Sequence, residues 1–110
     1  MTAHFTDANF QEEVVNSKIP VLVDFYAEWC GPCKQMGPSI DKLAEEFHGR
    51  VKIGKLDVDA NPVQSGAFQI RSIPTLAIFV NGKLVGEPMP GYKSEEMLRK
   101  MIEGMIVESA

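Results

Sequence analysis

Two cysteines, three positions apart, are the residues of this 110-residue sequence with the clearest capacity for chemistry. Cys30 and Cys33 stand in the order Cys-Gly-Pro-Cys, and the sequence contains no other cysteine. A structural disulfide across two intervening residues would close too small a loop to stabilise a fold by much. The pair therefore needs a chemical explanation, and reversible thiol–disulfide exchange is a reaction that two neighbouring thiols can perform.

The predicted setting of the pair gives its two thiols different roles. A buried strand is predicted to end just before Cys30, and a long helix to begin just after it. Unpaired N–H groups and the positive dipole end of a helix amino terminus favour an anion, so the pKa of Cys30 should fall toward neutrality. Cys33 follows one helical turn later, at an expected Cα–Cα separation of roughly 5 to 6 Å that suits a disulfide. Cys30 would attack a substrate disulfide, and Cys33 would then resolve the mixed disulfide.

The residues beside the cysteines are typical of a site that receives another protein chain. Gly31 lets a partner approach closely, while Pro32 presets the backbone of the first helical turn and stiffens the disulfide ring. Trp29 is the only tryptophan of the sequence. Its flat side chain adjoins the nucleophile and can contact a docked substrate, although apolar packing alone would also account for it.

Asp24, six residues before Cys30, is a carboxyl group in an otherwise apolar predicted strand. Burying an isolated ionised carboxylate is costly, so we expect Asp24 to be partly protonated near neutral pH. Such a group can pass a proton to or from a nearby thiol. A position at a water-exposed strand end is the alternative. Lys55, in the next apolar strand, is either the charge partner of Asp24 or a solvated edge lysine.

Zinc binding and inert burial account less well for the cysteine pair than thiol chemistry does. Zinc binds Cys-x-x-Cys pairs but normally takes four protein ligands in a structural site, and the remaining candidates, His4 and His48, have unhelpful spacing. Two buried, inert thiols would not be expected at a strand-to-helix junction, which is a surface position. We therefore expect no metal site.

Hydrophobic patterns and turn signals predict the elements that position these residues. Strands separated by helices pair in parallel, and a late hairpin adds an antiparallel edge, so the fold class is α/β, with helices on both faces of a mixed sheet. One domain should span residues 1–110. The first half is predicted as a helix from a Thr6 or Asp7 cap to about Asn16, a strand over 19–26, and a helix from Gly31 to Phe47. The second half is predicted as a strand over 51–58 and a short helix capped by Asn61, with Pro62 at its first position. A hairpin of 75–80 and 83–86 around Asn81-Gly82 comes next, and a last helix begins at Ser94.

Composition and charge argue against two classes of partner. The net charge of −4, with no basic stripe, gives little support for nucleic-acid binding. The longest apolar run, Ile19 to Phe25, contains a carboxylate and is far too short to span a bilayer. The amino terminus has neither a basic start nor an apolar signal core, so we expect a cytoplasmic protein without a membrane partner.

Several motifs together resemble the thioredoxin family. They are Asp24 to Lys34, Pro38, Lys55 to Asp59, Ile73-Pro74-Thr75, Asn81-Gly82 and Gly91, in the family's order and across essentially the whole chain. The resemblance implies a thioredoxin fold, with a central sheet of about five strands and flanking helices. It also implies a Cys30–Cys33 disulfide, with Cys30 as the attacking thiol and Cys33 as the shielded resolving thiol. Asp24 would be the buried proton-transfer group, and Lys55 would lie near it.

The same resemblance implies a docking surface and partners. Pro74 would be the family's cis proline facing the disulfide, and backbone groups beside it would pair with an extended substrate. The apolar docking surface would consist of Trp29, Gly31, Pro32, Ile73, Pro74 and Gly91. The protein would be a monomer that binds no cofactor and reduces protein disulfides as part of cell redox homeostasis. Its electrons would come from NADPH through a separate thioredoxin reductase.

Three departures from the family pattern leave the substrate preference open. Tyr26 stands where the best-known members carry a second tryptophan. The segment 83–90 is about one residue longer than usual, and Pro88 and Pro90 in it predict an edge strand that ends in a bulge. Tyr92 is bulkier than the small residue common at its position.

Two alternative functions are compatible with the same fold. One is a disulfide oxidase or isomerase, and the other is a non-catalytic binding subunit that uses the apolar surface around Trp29. The Gly-Pro dipeptide between the cysteines resembles that of reductases, and the absence of a signal peptide argues for a reducing compartment. The favoured hypothesis is therefore a protein-disulfide reductase.

Overall fold

A computed structural model describes residues 2–109, in which five strands form one mixed sheet. The strands are β1 (Ala3–Phe5), β2 (Val21–Tyr26), β3 (Lys52–Asp57), β4 (Thr75–Val80) and β5 (Lys83–Pro90). The helices are a short π-helical segment (Gln11–Val15), α1 (Gly31–Glu46), α2 (Pro62–Ala67) and α3 (Glu95–Ser109). Residues 1 and 110 of the expected domain lie outside the described residues.

The strand order across the sheet is β1-β3-β2-β4-β5. β3 pairs in parallel with both β1 and β2, whereas β4 pairs antiparallel with β2 and β5. The predicted mixed α/β sheet is confirmed, as is the number of about five strands that the family resemblance implies. The residue pattern alone missed β1, because a strand of three residues is too short to show a periodicity.

Alternate side chains of β2 point into two separate hydrophobic cores. Leu22 belongs to a core built with α1 and α3, whereas Val23 and Phe25 belong to a core that includes Phe10 and Val14 around the π-helical segment. Both faces of the sheet are therefore covered, which explains why the sequence of β2 is apolar at nearly every position.

The amino-terminal helix differs from the prediction. Only Gln11–Val15 is helical, and the backbone N–H groups of Thr6 and Asn9 each donate to the other residue's side-chain oxygen, at 2.7 and 3.0 Å. The cap lies at Phe10, without a side-chain capping hydrogen bond, so the prediction of Thr6 or Asp7 as the cap is wrong. Asp7 has a different role. Its carboxylate instead accepts hydrogen bonds from the N–H groups of Val63 and Gln64, at 3.1 and 3.0 Å, in the first turn of α2.

The predicted position of Asn61 at the cap of α2 is confirmed, but its side chain does not do the capping. Asn61 makes no side-chain capping hydrogen bond, although Pro62 does occupy the start of the helix as expected. The Asn61 side-chain oxygen accepts from the N–H of Asp7 at 2.8 Å. The segment around Asp7 and the start of α2 are thus joined by hydrogen bonds in both directions. No local sequence pattern specifies this tertiary arrangement.

The β4–β5 hairpin turns at Asn81-Gly82, as predicted. Both residues have positive φ angles, 54° and 79°, as a tight hairpin turn of this type requires. The expected edge strand and bulge are both present, but the bulge lies inside β5 rather than at its end. Leu76 pairs with Met89 and Ile78 pairs with Val85, so three residues of β5 stand opposite one residue of β4.

Candidate active site

Cys30 and Cys33 form a disulfide at the amino terminus of α1. Their Cα atoms are 5.2 Å apart, within the predicted range. Cys30 is the residue that caps the helix, and its sulfur accepts a hydrogen bond from the backbone N–H of Cys33 at 3.2 Å. The first turn of the helix therefore supplies a donor at the Cys30 sulfur, which would stabilise a thiolate there after reduction.

Both cysteines are almost enclosed, with equal residue exposures of 4%. They pack in a small cluster with Ala27, and Tyr26 and Ile73 lie against it. Exposure does not distinguish the two residues. The different roles predicted for them rest on their positions in the helix.

The strand register brings the other expected site segments to the same edge of the sheet. Tyr26, at the end of β2, pairs with Asp57 at the end of β3, and Phe25 pairs with Thr75 at the start of β4. Thr75 in turn pairs with Pro90 at the end of β5. The loops that carry the cysteines, Ile73-Pro74 and Gly91 therefore leave the sheet side by side.

The Ile73–Pro74 peptide bond is cis, as the family resemblance implies for this proline. The Pro74 carbonyl accepts a hydrogen bond from the N–H of Gly91 at 2.8 Å, which ties the two loops together. Gly91 has a φ of 101°, a conformation that side chains disfavour. Nothing lies within 4 Å of the position that a Cβ at Gly31 would take, so the disulfide turn is open on that side.

Trp29 projects beside the disulfide with 70% of its surface exposed. Its indole N–H donates to Asp59 Oδ2 at 2.8 Å, which orients the ring. Between Trp29 and Ile73 lies a shallow depression of about 140 Å³, also lined by Val58. Tyr92 is 52% exposed. These side chains are available for contact, as a docking surface requires.

Asp24 is buried on the α1 side of β2, with an exposure of 1%. It lies two residues along the strand from Leu22 and so shares its face. Among the described residues, Asp24 Oδ1 has no hydrogen-bond partner. Burial raises the pKa of Asp24 to about 7, while the positive charge of Lys55 lowers it and the negative charge of Asp41 raises it. The expectation of a carboxyl group that titrates near neutrality agrees with this environment.

Lys55 stands directly opposite Asp24 in the β2–β3 register. Its ammonium, however, forms an ion pair with Asp41 of α1, with Nζ 3.6 Å from Oδ1. No ion pair within 4 Å joins Asp24 to Lys55 in the described part of the chain. Lys55 is not a solvated edge lysine, since β3 is an interior strand and the side chain is only 19% exposed.

A cavity of about 330 Å³ opens beside Cys33 on the same side of the sheet. Its lining includes Tyr26, Asp41 and Lys55. Sequence reasoning missed both this cavity and Asp41. The available signal was spacing, because Cys33, Gly37 and Asp41 recur every four residues and so share one face of α1.

Within residues 2–109, no group of three or more His, Cys, Asp and Glu side chains is arranged to hold a metal ion. The same part of the chain contains no helix with the length and apolar character needed to cross a bilayer.

A disulfide between a helix-capping cysteine and the cysteine in the first turn of that helix, on a mixed sheet that also buries a carboxyl group, defines the site of a thiol–disulfide oxidoreductase. Comparison with known proteins gives the family: the thioredoxin family model matches residues 1–104, and the chain belongs to the thioredoxin family.

Curated relatives match over most of their own length. The thioredoxin of Haemophilus influenzae is 54% identical over 82 residues, which cover 74% of this chain and 77% of that protein. The thioredoxin of Chlorobaculum thiosulfatiphilum is 48% identical over 98 residues, covering 89% and 90%. The thioredoxin of Porphyra purpurea is 50% identical over 100 residues, covering 88% and 94%.

Proposed function

We propose that this protein reduces disulfide bonds in other proteins, with Cys30 as the nucleophile and Cys33 as the resolving thiol. The Cys30 thiolate attacks one sulfur of the substrate disulfide, and the other substrate sulfur leaves as a thiolate and takes up a proton. Cys33 then loses its proton and attacks the Cys30 sulfur, which breaks the mixed disulfide and releases the second substrate thiolate. Two electrons pass to the substrate, and the Cys30–Cys33 disulfide remains.

The observation that carries this assignment is the capping position of Cys30. An N–H group of the first helical turn is already directed at its sulfur, at 3.2 Å. The anion that forms on reduction is stabilised there by the hydrogen bond and by the helix dipole. Cys33 lies inside the first turn of the helix and lacks this capping position.

Asp24 serves as the proton acceptor for Cys33 in this proposal. A carboxylate with an ordinary pKa would be too weak a base to take a proton from a thiol. A pKa of about 7 makes the Asp24 carboxylate a stronger base and leaves both of its forms available near neutrality. Its position on the α1 side of β2, the side on which α1 carries Cys33, supports a transfer to or from the cysteine pair.

Substrates dock, in this proposal, on the surface formed by Trp29, Gly31, Pro32, Ile73, Pro74 and Gly91. The Pro74 carbonyl already accepts a bond from Gly91, and proline has no N–H. Backbone pairing with an extended substrate would therefore fall chiefly to Ile73.

The wider setting is also part of the proposal. One domain spanning residues 1–110 acts as a monomer in the cytoplasm and takes no cofactor of its own. A separate thioredoxin reductase passes electrons from NADPH to the Cys30–Cys33 disulfide. Neither nucleic acid nor a membrane takes part.

Serine substitutions test the two cysteine roles. Cys30→Ser should lose essentially all reduction of insulin disulfides, because a hydroxyl is a far weaker nucleophile than a thiolate. Cys33→Ser should instead accumulate mixed disulfides with insulin, visible by mass spectrometry, since the first step proceeds and the second does not. Turnover by Cys30→Ser, or mixed disulfides formed by Cys30→Ser rather than Cys33→Ser, would reverse the assignment.

A further inference from the structure

Two carboxylates lie within reach of the Lys55 ammonium, and it pairs with the less buried one. Asp24 faces Lys55 across the strand register, yet the Asp24 oxygen Oδ1 has no partner among the described residues. Asp41, with 59% of its side chain exposed, holds the ammonium at 3.6 Å. Pairing at the cavity rim leaves both ions partly hydrated, so it avoids the desolvation cost of a fully buried pair.

Asp41 is itself held in place by the chain before β1. The hydroxyl of Thr2 donates to Asp41 Oδ1 at 2.6 Å, the same oxygen that contacts Lys55. Gly37 of α1 has no side chain and so leaves room for the ammonium. A Cβ at this position would lie only 3.3 Å from Lys55 Nζ. The ring of Tyr26 lies near it, with its centroid 5.9 Å from Nζ.

Charged and titratable groups reach the cavity from every element around it. They are His4 on β1, Tyr26 on β2, Glu28 before α1, Cys33, Lys34 and Asp41 on α1, and Lys55 on β3. Of these, Lys55 and Asp41 are the groups that act most directly on the Asp24 carboxyl group, and they act in opposite directions.

We propose that Asp41 is a positioning residue for proton transfer at Asp24. It holds the Lys55 ammonium at the cavity rim and so prevents that ammonium from pairing with the Asp24 carboxylate. Without Asp41, Lys55 would be free to turn toward Asp24 and fix it in the ionised form. The inference rests on the proposed role of Asp24 as the proton acceptor for Cys33.

The direct test is the titration of the Asp24 carboxyl carbon, followed by NMR in the intact protein. Asp41→Asn should lower the pKa of Asp24 by about one pH unit, since an unopposed cation a few ångströms away favours the carboxylate. Lys55→Met should raise it. Glu45→Gln is the matched control, because it removes a carboxylate from the exposed surface of the same helix and Glu45 does not line the cavity. This variant should leave the pKa of Asp24 unchanged.

A double variant separates positioning from simple repulsion between two carboxylates. If Asp41 acts through Lys55, the effect of Asp41→Asn should shrink to less than half in the Lys55→Met background. An effect of full size in that background would show that Asp41 acts only through its own charge, and would overturn the proposal. An unchanged titration in the single variant would overturn it as well.

The pH profile of insulin reduction distinguishes this inference from the proposed role of Asp24. In Asp41→Asn, the midpoint of the profile should move to lower pH together with the Asp24 titration. A titration that moves while the profile stays fixed would refute Asp24 as the proton acceptor and leave the electrostatic role of Asp41 intact.

Discussion

Asp24 is a carboxyl group that the fold keeps out of water without giving both of its oxygens a partner among the described residues. Its pKa of about 7, against an ordinary value of 3.8, means that the folded protein favours the protonated form. Between these two pH values the folded state binds more protons than the unfolded state. The free energy of unfolding therefore falls as the pH rises through this window.

Replacing Asp24 by Asn should remove this dependence. Above pH 7 the ionised carboxylate costs the fold on the order of 4 kcal/mol, so Asp24→Asn should be more stable than the natural chain at pH 8. The advantage should be nearly gone by about pH 3, where Asp24 is largely protonated in both the folded and the unfolded natural chain. Urea denaturation at a series of pH values measures it, and parallel curves for the two proteins would contradict the expectation.

The presence of a carboxyl group in an apolar strand was visible in the sequence, and so was its proximity to the cysteines along the chain. The ion pair of Lys55 with Asp41 was not, because it depends on how α1 lies over the sheet. The role of Asp24 in proton transfer, unlike its burial, remains a prediction.

The helix α1 followed from local signals. Pro32 near the amino terminus, the apolar spacing and the glycine after the helix placed its bounds to within one residue of Gly31–Glu46. The helix α2 did not, since its capping group comes from Asp7, 56 residues before Val63. The position of the bulge in β5 was also out of reach, because it depends on the pairing register with β4.

Asp7 offers a test of this long-range cap. Asp7→Ala removes the acceptor for two N–H groups of α2 and should lower the free energy of unfolding by about 1 kcal/mol. Asp7→Asn keeps an acceptor oxygen and should lose less. Urea denaturation at neutral pH compares the two, and an Asp7→Ala variant as stable as the natural chain would show that the cap contributes nothing.

The whole molecule assembles the site from segments that are far apart in sequence. Parallel pairing of β2 with β3 and antiparallel pairing of β2 with β4 place the cysteines, Ile73-Pro74 and Gly91 at one edge of the sheet. The alternation of strands and helices predicted the mixed sheet, but only the family resemblance pointed to the cis proline and to the docking loops.

The reduction potential of the Cys30–Cys33 pair tests the central claim most directly. The purified protein is equilibrated with buffers of reduced and oxidised glutathione, and the fraction of dithiol is measured after acid quenching and thiol alkylation. A protein-disulfide reductase should have a potential more negative than that of the glutathione couple, so that its disulfide persists until the buffer is strongly reducing. A potential well above that of glutathione would contradict the account and assign the protein to the disulfide oxidases.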